Sequence, residues 1–181
     1  MSEWFTSLAG LHRQVWHLLT HRDGPALTPV LATVGPDGWP EARMVVLRAA
    51  DPIAASVDVH TDLYSAKITS LRALPRAALQ FWLPEQQMQI RLTCAVAIMS
   101  GPDVTGIWAK VPDPSRQSYG ITPAPGTPIA DALDYVKSPD PATFAVLHCA
   151  VRHIDAVHLG TVHRRAAFAR DTDWRGEWLA P

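Results

Sequence analysis

Hydrophobic and polar positions change period several times along the chain. Between residues 2 and 20, Trp4, Phe5, Leu8, Leu11, Val15, Leu18 and Leu19 recur near helical spacing, with Ser2 placed as a cap. Arg22-Asp23-Gly24-Pro25 stops that helix. From Ala26 the period drops towards two. Ala26 to Val34 predicts a strand, Gly35-Pro36-Asp37-Gly38 a reversing turn, and Arg43 to Arg48 the return strand of a hairpin. Asp51-Pro52 breaks the pattern before a third strand, Ser56 to Thr61. Ser65 to Leu74 predicts a short helix capped by Ser65, with Ile68, Leu71 and Leu74 as its buried edge and Pro75 as its end. Ala77 to Leu83 and Gln87 to Met99 predict two strands joined by Pro84-Glu85-Gln86. The second is long and half polar, as expected when one face lines a site or an interface.

Beyond Gly101-Pro102 the pattern weakens. Val104 to Lys110 reads as a short helix, residues 111–128 as loop, and Ile129 to Val136 as another short helix. Phe144 to Leu159, His163 to Arg170 and Trp174 to Leu179 read as strands, with a turn at Asp171-Thr172-Asp173. About seven antiparallel segments with inserted short helices predict a mainly β fold, an antiparallel β-barrel. Strands do not alternate regularly with long helices, which argues against a doubly wound sheet. With no internal repeat, low-complexity tail or linker, residues 1–181 read as a single domain with an N-terminal helix.

Composition narrows the function classes. The 181 residues are 48% hydrophobic and 18% charged, as in ordinary globular proteins. The formal net charge of -1 provides no global field for nucleic acid or an anionic membrane, so any anion must be held by local geometry. No run approaches the ~20 apolar residues of a membrane helix. Glu3, with no basic region before the first apolar residues, predicts no signal peptide. Cys94 and Cys149 stand outside any Cys-x-x-Cys pair and read as buried reduced thiols in a cytoplasmic setting. His148, His153, His158 and His163 recur every five residues. On a regular strand that odd spacing alternates faces, so no metal site is expected. No Ser-His-Asp order, P-loop or Gly-x-Gly-x-x-Gly is visible.

The stretch from Glu41 to Arg91 carries the candidate chemistry. On one strand, Arg43, Val45 and Leu47 share a face, with Met44, Val46 and Arg48 on the other. An arginine at the mouth of an apolar strand can grip a phosphate bidentately. Thr61 ends a neighbouring strand, Ser65 opens a helix whose free N–H groups favour an anion, and Lys67 lies in its first turn. Two surface cations and a helix cap would produce the same pattern. Gln89 and Arg91 share a face, and an amide suits the pyrimidine edge of a flavin.

Taken together, these residues resemble the pyridoxamine 5'-phosphate oxidase-like family of FMN-binding split barrels. Arg43-Met44-Val45-Val46-Leu47-Arg48 resembles the family's Arg-Met-Val-Leu-Leu-Lys strand. His60-Thr61-Asp62-Leu63-Tyr64-Ser65-Ala66-Lys67 resembles its Tyr-Thr-Asn-x-x-Ser-Arg-Lys segment, and Gln89-Ile90-Arg91 its Gln-Val-Arg. His163-Arg164-Arg165 and Trp178-Leu179-Ala180-Pro181 resemble its C-terminal His-Asp-Arg and Arg-Leu-Ala-Pro. The resemblance implies that Arg43, Thr61 and Lys67 hold the FMN phosphate, with Met44, Arg48 and His60 in the same two matched segments. It places the backbone at Val45 and Val46 along the isoalloxazine, and Gln89 and Arg165 against the ring. Gln117-Ser118 resembles a Gln-Ser pair near the phosphate. A homodimer sharing the cofactor site between subunits is implied as well.

Departures bear on the substrate. Ala66 replaces a phosphate-binding arginine, His60 a tyrosine and Arg48 a lysine, and the family's tryptophan beside the flavin falls at Val157 or His158. The oxidases' substrate Arg-x-His is Thr161-Val162-His163, leaving His163 as the one substrate candidate there. Their Tyr…Arg…Ser phosphate grip has no counterpart across Gly106 to Arg116. The expected function is an FMN-dependent oxidoreductase acting on an unidentified small molecule. The competing readings are a flavin carrier or sensor without turnover, and a split barrel that holds a deazaflavin or haem.

Overall fold

In a computed structural model, residues 4–21 and 24–181 are described. Helix α1 (Leu8–His21) follows a short 3-10 turn at Trp4–Thr6. Its start is marked by Ser7, whose side-chain oxygen accepts from the Gly10 N–H at 3.1 Å. The expected cap Ser2 and stop residues Arg22 and Asp23 lie outside the described residues. The stripe Leu11, Val15, Trp16 and Leu19 is buried against the sheet.

Strands β1 (Val30–Val34) and β2 (Pro40–Met44) form the expected hairpin, in register from Val30 opposite Met44 to Val34 opposite Pro40. Residues 24–27 form a 3-10 turn instead of the expected strand start. The hairpin turn needs Gly38 at φ 84, where a side chain would be strained. The run Arg43 to Arg48 is not one strand. It divides into β2 and β3 (Leu47–Asp51) because β2 pairs β1 whereas β3 pairs β4 (Ser56–Asp62). Val45 and Val46 fall between the two ladders, and the Val45 N–H donates to the Pro29 carbonyl at 3.0 Å.

Helix α2 (Ala66–Ala73) buries Ile68 and Leu71. Leu74 is its C-cap and is 37% exposed, so the expected buried edge stops one turn earlier. β5 (Arg76–Leu83) pairs along its whole length with the first part of β6 (Met88–Ser100), from Leu83 opposite Met88 to Arg76 opposite Ala95. After a 3-10 turn come two one-turn helices, α3 (Thr105–Trp108) and α4 (Asp113–Arg116). β7 (Ile121–Thr122) then pairs β8 (Val136–Lys137).

The helix expected over Ile129 to Val136 is absent, despite its apolar spacing. Its apolar residues find nothing to cover them, Leu133 being 79% exposed. Two aspartates capture the local backbone instead: Asp131 Oδ1 accepts from the Ala132 N–H at 2.8 Å, and Asp134 Oδ2 from the Asp131 N–H at 3.0 Å.

β9 (Phe144–His158) is the central strand. Its first half pairs β4, its whole length β6, and its second half β10 (Arg164–Ala169), which carries β11 (Gly176–Leu179). The result is mostly antiparallel sheet with short helices, matching the expected split-barrel class. A bulge opposite Thr93/Cys94 shifts the β9 register, so inward positions change from Leu147, Cys149 and Val151 to Ile154, Ala156 and His158. That bulge corrects the face argument for the histidines: His148 and His153 both point outwards and His158 inwards, while His163 lies exposed beyond the strand. No metal-binding group of three or more His, Cys, Asp or Glu occurs among the described residues.

Inward positions such as Leu31, Leu47, Val59, Leu79, Ile90, Leu92 and Leu147 fill the barrel core together with α1 and α2. Cys94 and Cys149 are buried free thiols, and burial raises both thiol pKa values. A second, smaller core of Val104, Val111, Tyr119, Phe144 and Val146 binds the segment from α3 to Gly120 onto the ends of β4 and β9. Among the described residues no helix is long and apolar enough to cross a membrane.

Candidate functional site

Where β2 passes into β3, the end of β4, the start of α2 and the loop after α4 enclose a cavity of about 320 Å³. Arg43, Met44, Val45, Val46, Arg48, His60, Thr61, Lys67 and Ser118 line it. The partner switch at Val45-Val46 turns the chain along one wall, which is why residues from both faces of the expected strand reach one space.

Lys67 lies at the centre of the polar wall. Its Nζ donates to Thr61 Oγ1 at 2.9 Å and to Ser65 Oγ at 3.0 Å. Ser65 is the N-cap residue of α2, yet its hydroxyl makes no cap bond. It donates instead to the Asp62 carbonyl at 2.8 Å, which turns its lone pairs towards Lys67. Burial lowers the Lys67 pKa first, the Arg43 guanidinium lowers it further, and Asp62 acts the other way. None of the ion pairs among the described residues includes Lys67. A desolvated ammonium held by neutral hydroxyls beside a guanidinium is a standing demand for an anion.

Arg43 is held from behind. Its Nη2 donates to Glu41 Oε2 at 2.7 Å and its Nη1 to Thr33 Oγ1 at 2.6 Å. Glu41 Oε2 also accepts from Ser70 Oγ at 2.9 Å, tying the hairpin to α2. Glu41, Thr33 and Ser70 were not candidates from the sequence. The available signal was period two, which places Glu41 on the Arg43 face.

Asp62 sets the far wall. Its Oδ1 accepts from the Tyr64 N–H at 2.8 Å and its Oδ2 from the Gly120 N–H at 3.0 Å. That second bond draws Ser118 and Tyr119 over the cavity. Gly120 sits at φ 94, and a Cβ there would collide with the Ser138 carbonyl. Burial raises the Tyr119 phenol pKa, opposed in part by the charge of Arg48 and by the hydrogen bond with it. His60 is pushed down to about 4, mainly by burial and then by Arg48, and is a neutral ring at pH 7.

Gln89, Gln117 and Arg165 do not line this cavity. Gln117 is exposed at the end of α4. Gln89 and Arg165 lie in one cross-strand row, both opposite Val157, on the outer face of the sheet. There Arg165 and Arg91 are both bonded to Asp155, each through an Nη2 at 2.7 Å. The same face carries Ala32, Ala42, Ala78, Ala167 and the half-exposed Trp82, with Gln80 opposite Arg91, Thr93 opposite Ala78 and Glu177 opposite Ala167.

Beyond Arg48 and His60 a second cleft of about 510 Å³ opens under α3, with Leu47, Ile107, Val111 and Lys110 in its walls. Arg116 is absent from it: it bonds Asp113 at 2.9 Å and the Trp108 and Ala109 carbonyls, and stacks on Trp108.

A family model described as "Pyridoxamine 5'-phosphate oxidase, FMN-binding domain" matches residues 3–100. A pyridoxine/pyridoxamine 5'-phosphate oxidase of Anaeromyxobacter dehalogenans is 30% identical over 156 residues, covering 86% of this chain and 69% of that protein. One from Microcystis aeruginosa is 46% identical over 70 residues, 39% of this chain, so the match spans about a third (32%) of that relative's length. Among solved structures, a pyridoxamine 5'-phosphate oxidase-related, FMN binding protein of Nostoc punctiforme superposes with TM-score 0.79 at 24% identity, covering 97% of this chain and 100% of the other.

Proposed function

Because the chain belongs to the pyridoxamine 5'-phosphate oxidase FMN-binding domain family, we propose that it is a homodimeric FMN-dependent oxidoreductase acting on a small molecule. The observation that carries this reading is Lys67: a partly desolvated cation on two neutral hydroxyls, beside Arg43, suits the FMN phosphate. The donor set fits a dianion, with the Lys67 ammonium, the Arg43 guanidinium and the Ser118 hydroxyl around one cavity, and with Thr61 and Ser65 accepting from Lys67 to hold it there. FMN, when bound, supplies the redox-active ring. The chain's own part is to bind and orient it. Arg43 and Lys67 fix the phosphate, the extended backbone at Val45-Val46 supports the ring, and Tyr119 with Arg48 closes the far side.

Gln89 and Arg165 reach a ring only if the cofactor in one subunit meets the outer face of another. A sheet face that mixes small, apolar and uncharged polar residues, with the arginine–aspartate cluster within it and Glu177 towards its edge, suits burial in a symmetric dimer. The second cleft, which shares Arg48 and His60 with the cofactor cavity, is the natural substrate space. Its charged lining includes Arg48 and Lys110, and Asp58 is already bonded to His148 at 2.8 Å. With Arg116 committed elsewhere, a dianionic substrate phosphate lacks its several charge-assisted bonds. Pyridoxamine 5'-phosphate is therefore a poor substrate, and FMN should stay oxidised when the two are mixed without oxygen. Rapid bleaching at micromolar substrate would reverse that conclusion.

The decisive experiment is the absorbance spectrum and mass of the cofactor that co-purifies or is taken up on titration. Flavin bands and the mass of FMN are expected. A haem band, a deazaflavin mass, or no uptake of FMN would overturn the reading. Anaerobic reduction by NAD(P)H followed by oxygen uptake then separates an oxidoreductase from a carrier.

A further inference from the structure

Arg91, Asp155 and Arg165 come from β6, β9 and β10 and meet at one carboxylate. Arg165 donates to both oxygens of Asp155, from Nε at 3.1 Å and from Nη2 at 2.7 Å. Arg91 donates to Oδ2 at 2.7 Å. The layering is informative: the Asp155 side chain is 14% exposed, Arg165 34% and Arg91 50%. The acceptor lies underneath and the donors lie on top. Two guanidiniums on one carboxylate leave a single positive charge, displayed as N–H groups whose direction is fixed. Gln89, one row along, adds an amide, and the immediate cross-strand neighbours Val157 and Ala167 give no competing charge.

We infer that Asp155 is a positioning residue: it clamps Arg165 and Arg91 so that their free N–H groups face the ring end of a flavin held by a second copy of this chain. This rests on the proposed shared-site flavoprotein. A free arginine on a sheet face samples many rotamers and loses that freedom on binding. A bidentate carboxylate removes most of the freedom beforehand, so less is lost when the ligand arrives. The carboxylate also cancels one of the two charges, which lets the pair be covered by an apolar partner face.

The test compares FMN and riboflavin titrations of wild type, Asp155→Asn, Arg165→Ala and the double variant, with light scattering on each. Asp155→Asn keeps the side-chain volume. It should weaken FMN and riboflavin alike, by about tenfold, the size of one lost charge-assisted bond. A ring contact is common to both ligands, whereas a fault in the phosphate cavity would spare riboflavin. The double variant should lose less than the product of the two single losses, because Asp155 acts through Arg165 and, in its absence, only through Arg91. Wild-type affinity in Asp155→Asn, losses that multiply in the double variant, or dissociation of the dimer alongside the loss would each overturn this inference alone. A wild-type chain that binds neither flavin would overturn the cofactor reading, and the inference with it.

Discussion

The Lys67 cavity and the outer-face arginine cluster use cations in opposite ways. In the cavity, Lys67 rests on neutral hydroxyls and no carboxylate among the described ion pairs neutralises it. On the outer face, one mostly covered acid lies beneath two arginines. The cavity is left charged, which suits an anion on electrostatic grounds. The cluster is mostly compensated and contributes direction. Arg43 stands between the two: it adds charge to the cavity, yet Glu41 restrains it as Asp155 restrains Arg165. An enclosed site can hold an unmet charge in a small desolvated space. A face that must be covered by protein cannot, because unpaired buried charge is expensive.

The largest effect should come from disturbing the surround of the cluster. Ala78 lies between Ala32 and Thr93 on the outer face. In Ala78→Glu an unpartnered carboxylate would enter the proposed interface, at roughly 3–5 kcal/mol. Light scattering should then report monomer, with flavin binding lost and the circular dichroism spectrum unchanged. A dimer that still binds FMN would separate the cluster from the site. Lys67→Ala comes next. It should weaken FMN by about a hundredfold, from charge-assisted bonds at about 1.5–3 kcal/mol each, while riboflavin binding changes little. Equal losses for both ligands in a titration would remove Lys67 from the phosphate role. Because its pKa is lowered, the preference for FMN over riboflavin should also fade at a lower pH than a free lysine would dictate.

His60 gives an effect on stability. The unfolded ring titrates near 6.5 and the folded one at about 4, so the unfolded state binds the proton first as pH falls. Stability is complete above the unfolded value and is lost between pH 6.5 and about 4. With partial solvent screening this amounts to about 2 kcal/mol. Chemical unfolding of His60→Tyr should lack that acid limb, and an unchanged limb would rule out His60 as its source. The smallest effect is expected for Ser70→Ala. It removes the 2.9 Å bond to Glu41, for about 1 kcal/mol of stability, and loosens Arg43 without removing it. A thermal melt and an FMN titration measure the two consequences together.

How much was readable beforehand follows the same division. Most cavity residues fall in two short segments, Arg43 to Arg48 and His60 to Lys67, and the order and spacing of their resemblance to family motifs nominated them, whereas Tyr119 comes from a third segment and was not nominated. β6 was legible because period two is unambiguous over thirteen residues, with Met88, Ile90, Leu92, Cys94 and Val96 inwards. The failures lie where a local pattern meets a long-range constraint. Ile129 to Val136 has helical spacing but no surface to bury against. Arg43 to Arg48 reads as one strand but changes partner at Val45. The histidine faces were misjudged because a bulge in β9 alters the parity of everything after it.

The sequence by itself determined the β-rich class, the hairpin, the α2 position and the residues around Lys67, because alternation, turn residues and short spacing act over a few positions. Only the tertiary structure decided which acceptors the charged and backbone donors met. Arg91 meets Asp155 across 64 residues, and Gly120 meets Asp62 across 58. Strand register sets the first pair, since a slip of one residue would turn Arg91 or Asp155 to the other face. The second depends on the docking of the segment that ends at Gly120, through Tyr119 on Phe144, which no local pattern announces.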